Sequence, residues 1–216
     1  MIPASILSTI DEYDIEFEEN HVKVDVLDSV ELINSRINDR WRPKPQAKEP
    51  VVVGLDLHAS KNRRGNRSAN SLLVLCIDAY CLVVQLKYVD KIPDNLKKFL
   101  GDRNTCFVGV DVDRKLSGGV PPPLDPLVCK TAVELSLLAA RINKDPSYCN
   151  SDLKALAAEY KVSYKPPASG GCCGGRINYD ARVFWKDEVK ALVHDAYFCY
   201  NIAQKLVRRG DEVPVV

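Results

Sequence analysis

The sequence predicts an α/β fold in which helices flank a mixed β-sheet, and three observations indicate it. Residues 13–26 alternate apolar and polar side chains around a polar tip, as in a hairpin with one buried face. Residues 51–57, VVVGLDL, form an almost wholly apolar run that is typical of a buried central strand. Strand-like segments dominate the first half of the chain and helical segments the second, which favours a layered α/β domain.

The N-terminal region, residues 1–50, is expected to contain that hairpin, one helix and a connector. Asp28 is expected to cap the helix, because Glu31 follows three positions later as in a capping box. The helix should end near Trp41. Residues 42–50 include three prolines, and they predict an irregular connector because proline has no backbone N–H to donate.

The remaining strands of the sheet are expected after the central run. A polar loop at residues 60–70 should separate that run from the next strand. Pro93 suits the first turn of a helix that continues to Leu100. The three further strands are predicted at residues 71–77, 81–87 and 105–112.

The second half of the chain predicts three helices separated by segments rich in proline and glycine. The helices are expected at residues 131–142, 151–161 and 186–209, with Ser151 as the cap of the second. The breaking segments are residues 117–123 and 165–175. A chain of 216 residues suits one domain. Residues 1–216 are therefore predicted to form a single domain whose core spans residues 51–210.

Composition excludes several classes of protein. The apolar fraction of 46% and the charged fraction of 27% are ordinary for a globular domain, and a net charge of +1 does not indicate general affinity for polyanions. No apolar run is long enough for a membrane helix, so no membrane association is expected. The N-terminus has no basic segment typical of a secretory signal. The eight cysteines form no CxxC pair and are expected to be reduced thiols in the nucleus or cytoplasm.

Acidic residues occur at three separate places near the predicted core. Asp56 lies at the end of the central strand, Asp111 and Asp113 lie at the end of the strand predicted at 105–112, and Asp195 lies within the last helix. Carboxylates on separate elements that meet in the fold are typical ligands for hard divalent ions. Each aspartate by itself is equally consistent with a helix cap or a solvated surface.

Five segments in order resemble the Werner-type 3'-5' exonucleases, including their plant members. They are GLDLHASKNRRGNRSANSLLVLCIDAYCLVVQL, FVGVDVDRKL, AVELSLLAA, DLKALAAEYKV and DEVKALVHDAYFCYNIAQKL. The resemblance covers most of the chain and implies a ribonuclease H-like fold. It also implies 3'-5' exonuclease ancestry, with two Mg²⁺ or Mn²⁺ ions held by four carboxylates.

The resemblance implies a site in which two catalytic positions have changed. Asp56, Asp113 and Asp195 match the family's aspartates and would be the metal ligands, with Asp111 as an alternative to Asp113. His58 stands where the family has glutamate, and Ala191 stands where it has tyrosine. A sister class has histidine where this chain has Lys190. Histidine suits Mg²⁺ poorly, and alanine has no hydroxyl to orient water. Weak or absent catalysis is therefore expected.

Several other residues near these segments are candidates for a functional role. Lys61, Arg63, Arg64 and Arg67 place four cations within seven residues, which suits phosphate binding but is equally typical of a solvated loop. Cys172 and Cys173 lie between glycine pairs, where a redox-active or metal-binding role is the alternative to the expected one, incidental thiols of a surface loop. His194 is expected at the surface, because on a helix it projects about 100° away from Asp195.

Three functions remain open at this stage. The first is a protein that binds DNA or RNA through an exonuclease-like domain whose hydrolysis is weak or lost. The second is an active 3'-5' exonuclease with an altered metal preference. The third is a scaffold that recognises a protein partner. The retained aspartates favour the first two, and the near-neutral net charge leaves room for the third.

Overall fold

The computed structural model describes residues 12–18, 20–41, 51–61, 67–118, 124, 127–166 and 177–212. The strands are β1 (Glu12–Phe17), β2 (Asn20–Leu27), β3 (Val51–Lys61), β4 (Arg67–Ile77), β5 (Tyr80–Gln85), β6 (Thr105–Gly109) and β7 (Ala132–Glu134). The α-helices are α1 (Val30–Arg40), α2 (Asp94–Leu100), α3 (Val112–Gly118), α4 (Leu135–Asn143), α5 (Leu153–Glu159) and α6 (Lys186–Glu212). Short 3-10 turns cover Leu86–Tyr88 and Pro146–Asn150.

All seven strands belong to one mixed sheet of order β1-β2-β5-β4-β3-β6-β7. Strands β3, β4 and β5 form an antiparallel meander, and β1 pairs antiparallel with β2. Strand β2 joins β5 in parallel, while β6 lies parallel to both β3 and β7. The predicted mixed sheet with helices is confirmed, and β3 is a central strand as its apolar sequence indicated.

Helices cover both faces of the sheet, so the domain has two hydrophobic cores. On one face α4, α5 and the long α6 pack on β1, β2 and alternate residues of the other strands. On the opposite face α1 and α2 pack with Trp41 against the remaining strand residues. The alternation along β3 decides which side chains meet α6: Val52 belongs to the α6 side, whereas Val53, Leu55 and Leu57 face α1 and α2.

Two helix caps differ by one residue from their predicted positions. Ser29, in an extended conformation, caps α1 by accepting the Leu32 N–H, and Asp28 instead pairs with Arg182 at 2.9 Å. Asp152 caps α5 by accepting the Ala155 N–H at 2.7 Å, in place of Ser151. Serine and aspartate cap helices about equally well, so the sequence alone does not choose between neighbours.

Three strand boundaries also differ from the prediction. Strand β6 ends at Gly109, because Asp111 takes a left-handed φ of 58° and turns the chain into α3. The segment expected to be helical from residue 131 begins with β7, which adds an edge strand beside β6. The predicted loop at 60–70 is partly strand, since β3 and β4 extend until Lys61 pairs with Arg67.

One cysteine expectation is wrong. Cys76 and Cys81 face each other across the β4–β5 hairpin with Cα atoms 4.2 Å apart, and they form a disulfide rather than two thiols. The connector at 42–50 lies outside the described residues, as do residues 119–123 and 167–176, which include Cys172 and Cys173. No described helix combines the length and apolar character required to span a membrane.

Candidate carboxylate site

The site forms where α6 crosses β3 at unusually close range. A Cβ atom placed on Gly54 would lie 1.9 Å from the carbonyl oxygen of Ala196, so only glycine allows this approach. Gly54 is two residues before Asp56 and therefore on the same face of the strand, and Ala196 directly follows Asp195 on the helix. The contact between Gly54 and Ala196 thus brings the two aspartates into one region.

Asp56 is a buried carboxylate, with only 2% of its side chain exposed, that is bound by cations of the same chain. The Lys115 ammonium donates to Asp56 Oδ1 at 2.6 Å, and the Leu57 backbone N–H donates to the same oxygen at 2.7 Å. The second oxygen, Oδ2, has no hydrogen-bond donor among the described residues. Its contact is with His58 Nε2, at 3.2 Å.

His58 is held by the last helix rather than by Asp56. Its Nε2 lies 2.8 Å from the carbonyl oxygen of Leu192, which can only accept, so Nε2 donates its proton there. The contact with Asp56 Oδ2 is therefore electrostatic and not a second well-formed hydrogen bond. The imidazole also stacks on the ring of Tyr179, with centroids 6.0 Å apart and planes 20° apart. Burial, and next the negative charge of Asp56, raise the pKa of Tyr179.

Asp195 is half-exposed and is bound by the residue next to it. His194 Nδ1 lies 2.8 Å from Asp195 Oδ1, and His194 Nε2 lies 2.7 Å from the carbonyl oxygen of Lys165. The Lys165 carbonyl can only accept, so His194 Nε2 donates its proton there. The hydrogen bond from His194, and then the charges of His194, Lys115 and His58, lower the pKa of Asp195.

The expectation that His194 lies at the surface is wrong. The residue is 3% exposed and sits among the rings of Phe17, Tyr164 and Phe198. The prediction considered only the angle between neighbours on a helix. Helix α6 is covered on more than one side, by the sheet and by the segment that contains Tyr164, so a residue turned away from Asp195 is still enclosed.

Helix α3 places Lys115, and not Asp113, against Asp56. Two residues on a helix differ in direction by about 200°, so the two side chains leave α3 on opposite sides. Asp113 is exposed, and among the described residues it forms no group with Asp56 and Asp195 that could hold one ion. Asp111 is also exposed and pairs with Arg114. The predicted ligand set of Asp56, Asp113 and Asp195 is therefore not assembled.

Two further titratable groups lie near the aspartates, the half-buried Glu134 and the buried Cys199. Glu134, at the end of β7, accepts the Val112 N–H at 3.3 Å, and burial raises the pKa of its carboxyl group. Cys199, one turn after Asp195, is buried, and burial raises the pKa of its thiol well above the usual range. The charges of Asp195, Asp56 and Lys115 also act on this thiol. The Cys199 thiol is therefore disfavoured as a thiolate nucleophile.

The described residues do not fit the metal pair that the resemblance implies. Within the part of the chain that the structure describes, no three His, Cys, Asp or Glu side chains are arranged to hold one ion. Asp56 Oδ1 is occupied by Lys115 and Leu57, and the uncovered Oδ2 faces a histidine nitrogen that donates elsewhere. The site therefore brings two aspartates together without an available set of oxygen ligands.

Only the two ends of the predicted phosphate-binding loop belong to the described residues. Lys61 and Arg67 pair their backbones at the ends of β3 and β4, a few residues beyond the site along the same strands. Their side chains lie outside the described part, and so do Arg63 and Arg64 as whole residues. The loop follows the strand that carries Asp56, so its position along the chain is compatible with a role beside the site.

Sequence reasoning missed Lys115, Tyr179, Glu134 and His194. One signal for Lys115 was present: it is a basic residue in the same short segment as the candidate aspartates. Its contact with Asp56 depends on the left-handed turn at Asp111, which no local pattern announces. Tyr179 reaches the site from 121 positions beyond His58, a separation that no motif spans.

Solved exonuclease structures share this fold. The crystal structure of Trypanosoma brucei RNase D matches 85% of this chain and 64% of its own, with 15% identity and a TM-score of 0.58. Brucella melitensis NrnC with bound Mg²⁺ matches 79% of both chains, with 15% identity and a TM-score of 0.52. The EXD2 exonuclease domain matches 87% of this chain and 95% of its own, with 23% identity and a TM-score of 0.47. The matches to RNase D and NrnC confirm the predicted ribonuclease H-like fold.

No family model matches the chain, and no curated protein sequence matches it either.

Proposed function

We propose that this chain binds DNA or RNA through a 3'-5' exonuclease-like domain whose metal-dependent phosphodiester hydrolysis is weak or lost. The fold is that of RNase D and NrnC, and NrnC was solved with bound Mg²⁺. Two-metal hydrolysis uses the ions to stabilise both the attacking and the leaving oxygen. A site that cannot assemble the ligands loses that stabilisation while the surface that holds nucleic acid can persist.

The observation that carries the proposal is the position of His58. It stands where the family has a glutamate, its Nε2 proton is directed to the Leu192 carbonyl, and it lies 3.2 Å from Asp56. A histidine in this place offers no oxygen to a hard ion. Ala191, one turn before Asp195, likewise offers no hydroxyl to orient water. Loss of a ligand and of a positioning group should each lower hydrolysis by about 10-fold or more.

Nucleic-acid binding is attributed to the loop after β3. Lys61, Arg63, Arg64 and Arg67 would contact phosphates, which needs no base-specific geometry and gives a salt-dependent affinity. The loop continues from the strand that carries Asp56, so a bound backbone would run beside the carboxylates. The net charge of +1 means that this attraction must be local.

The test measures binding and degradation separately. Fluorescence anisotropy with labelled single-stranded DNA, single-stranded RNA and recessed duplex should show binding that weakens as salt rises. Charge reversal of Arg63 and Arg64 should weaken binding and reduce the salt dependence, because fewer counterions are released. The matched control reverses Lys98 and Arg103, two exposed cations near the start of β6. That end of the parallel β3–β6 pair is opposite to the loop.

Degradation of the same labelled strands is measured with Mg²⁺ and Mn²⁺ separately, and little or none is expected. Robust Mg²⁺-dependent degradation that Asp56→Ala abolishes would contradict the proposal. If the chain binds none of the three substrates, the protein-scaffold hypothesis remains. The exposed side chains of Val183 and Trp185 would then be the expected contact surface.

A second candidate function is an active exonuclease with an altered metal preference. Tyr179 favours it, because its ring stacks on His58, which contacts Asp56, and because Asp195 remains half-exposed. Such an enzyme would show Mn²⁺-dependent degradation that falls in Tyr179→Phe without loss of nucleic-acid affinity. Activity in Mn²⁺ that is unchanged by Tyr179→Phe would remove Tyr179 from the site chemistry.

A further inference from the structure

We infer that Lys115 takes the place of a divalent ion in this site, so that the chain's own cations neutralise the carboxylates and exclude Mg²⁺ and Mn²⁺. The inference rests on the proposed function for the statement that Asp56 and Asp195 belong to an exonuclease-like site. It goes beyond the replacement of two residues, because it identifies the group that now occupies the site.

The contact geometry at Asp56 supports a substituted cation. The Lys115 ammonium lies 2.6 Å from Asp56 Oδ1, a short, charge-assisted hydrogen bond. The ammonium is a compact point charge on a flexible stem, so among side chains it is the closest analogue of a small cation. The Leu57 N–H takes up the remaining capacity of Oδ1 at 2.7 Å. An ion would have to displace Lys115 before it could use this oxygen.

Side-chain contacts cover an oxygen of each aspartate without an ion. Lys115 donates to Asp56 Oδ1, and His194 Nδ1 lies 2.8 Å from Asp195 Oδ1. Hard divalent ions need several free oxygen ligands, which these contacts leave incomplete.

The burial of the pair explains why Lys115 stays in place. Asp56 has 2% of its side chain exposed and Lys115 has 23%, so the carboxylate depends on the ammonium for compensation. An uncompensated buried charge is strongly unfavourable. A divalent ion would therefore compete against a tethered cation that is always present, and it would also have to shed its own water.

The experiment measures Mn²⁺ binding to the full chain by the loss of the free-ion EPR signal. The wild type should show no specific binding, and Lys115→Met, which keeps the apolar stem, should gain affinity by about 10-fold or more. The gain should disappear when Asp56→Asn is added to Lys115→Met. Lys115→Arg retains the charge and should behave as the wild type. Lys98→Met is the matched control, because it removes an exposed lysine from α2 and should gain nothing.

Two results would overturn the inference. The wild type binding Mn²⁺ as tightly as Lys115→Met would show that the ammonium is displaced easily. An unchanged affinity in folded Lys115→Met would show that another group excludes the ion. Circular dichroism establishes folding, and Lys115→Gln serves the same test if the methionine variant does not fold. The titration contains no nucleic acid, so it measures Mn²⁺ binding independently of whether the chain binds DNA or RNA.

Discussion

Two buried aspartates in this domain are neutralised in different ways. Asp25 on β2 pairs with Arg36 at 2.9 Å and with Arg40 at 3.4 Å, whereas Asp56 on β3 pairs with Lys115 and touches His58. Both aspartates are 3% exposed, and each has one oxygen without a hydrogen-bond donor among the described residues. Burial is thus equal, and the difference lies in the type and origin of the cations.

The Asp25 pair is built within one corner of the fold. Both arginines come from α1, one turn apart, and Arg40 also pairs with Glu12 on the neighbouring strand. Arginine keeps its charge at any ordinary pH and its planar head fixes the geometry of the pair. The Asp56 cluster instead collects side chains from β3, α3 and α6, and its lysine can return to water along a flexible stem.

The comparison teaches that equal burial does not imply an equal role. A carboxylate held by two arginines of one helix fixes the position of that helix on the sheet. A carboxylate held by one lysine from a short helix and one histidine is compensated but remains open to rearrangement. The first arrangement is expected to matter for stability, and the second for what the site can bind.

The largest expected effect is on stability at Asp25. Asp25→Asn weakens the charge-assisted contacts of Arg36 and Arg40 with one oxygen, while Arg40 keeps its contact with Glu12. The loss should cost about 2 kcal/mol in the free energy of unfolding. Urea denaturation followed by circular dichroism measures the change. The expected result is a lower midpoint with an unchanged slope, which indicates a change of stability and not of compactness.

Asp56→Asn is the matched control for this prediction. The amide oxygen can still accept the Leu57 N–H, His58 keeps its bond to Leu192, and the 23% exposed Lys115 can turn to solvent. The free energy of unfolding should therefore change by about 1 kcal/mol or less. Equal losses in the two variants would show that the lysine cluster is as structural as the arginine pair.

The next effect concerns metal affinity in combined variants. His58→Glu alone should gain little Mn²⁺ affinity, because Lys115 still binds Asp56. In the Lys115→Met background the same change should add about 10-fold, or about 1.4 kcal/mol, since a carboxylate then faces a vacant oxygen of Asp56. A double-mutant cycle measures this coupling. Additive gains would mean that His58 and Lys115 act on separate sites.

Adding Ala191→Tyr to that pair extends the prediction to catalysis. If the two substitutions restore a metal site, single-turnover degradation of a labelled strand should appear only with Lys115→Met and His58→Glu together, and tyrosine should increase it. Asp113 is turned away from the cluster, so a folded triple variant that binds Mn²⁺ and stays inactive would identify Asp113 as the remaining defect.

The sequence predicted the fold better than the site because the two depend on interactions of different range. The hairpin of β1 and β2, the central strand β3 and the long helix α6 follow from local periodicity, and they are confirmed. The contact between Lys115 and Asp56 spans 59 positions and depends on one left-handed residue, Asp111. Asp28 and Ser29 have similar propensities to cap a helix. Ser29 is the cap of α1, while Asp28 contacts the distant Arg182, and this contact is not visible in the sequence.

The smallest expected effect is a difference in the pH dependence of stability between the two regions. Burial outweighs the attraction of Arg36 and Arg40 and raises the pKa of Asp25, whereas the hydrogen bond from His194 lowers the pKa of Asp195. In the unfolded chain the pKa of an aspartate is about 3.9. The folded chain therefore binds more protons at Asp25, and fewer at Asp195, than the unfolded chain does in this range.

The two groups should consequently give slopes of opposite sign. Stability rises with pH wherever the unfolded state binds more protons. The contribution of Asp25 is thus present below the unfolded pKa and is lost as pH rises through the raised folded pKa. The contribution of Asp195 is present above the unfolded pKa and is lost as pH falls through the lowered folded pKa.

Urea denaturation of the wild type, Asp25→Asn and Asp195→Asn between about pH 3 and 5 isolates each contribution, since ordinary histidines stay protonated there. The free-energy difference from the wild type should fall with rising pH for Asp25→Asn and rise for Asp195→Asn. Slopes of the same sign would mean that His194 does not hold Asp195 as an ion, or that the arginines of α1 outweigh the burial of Asp25.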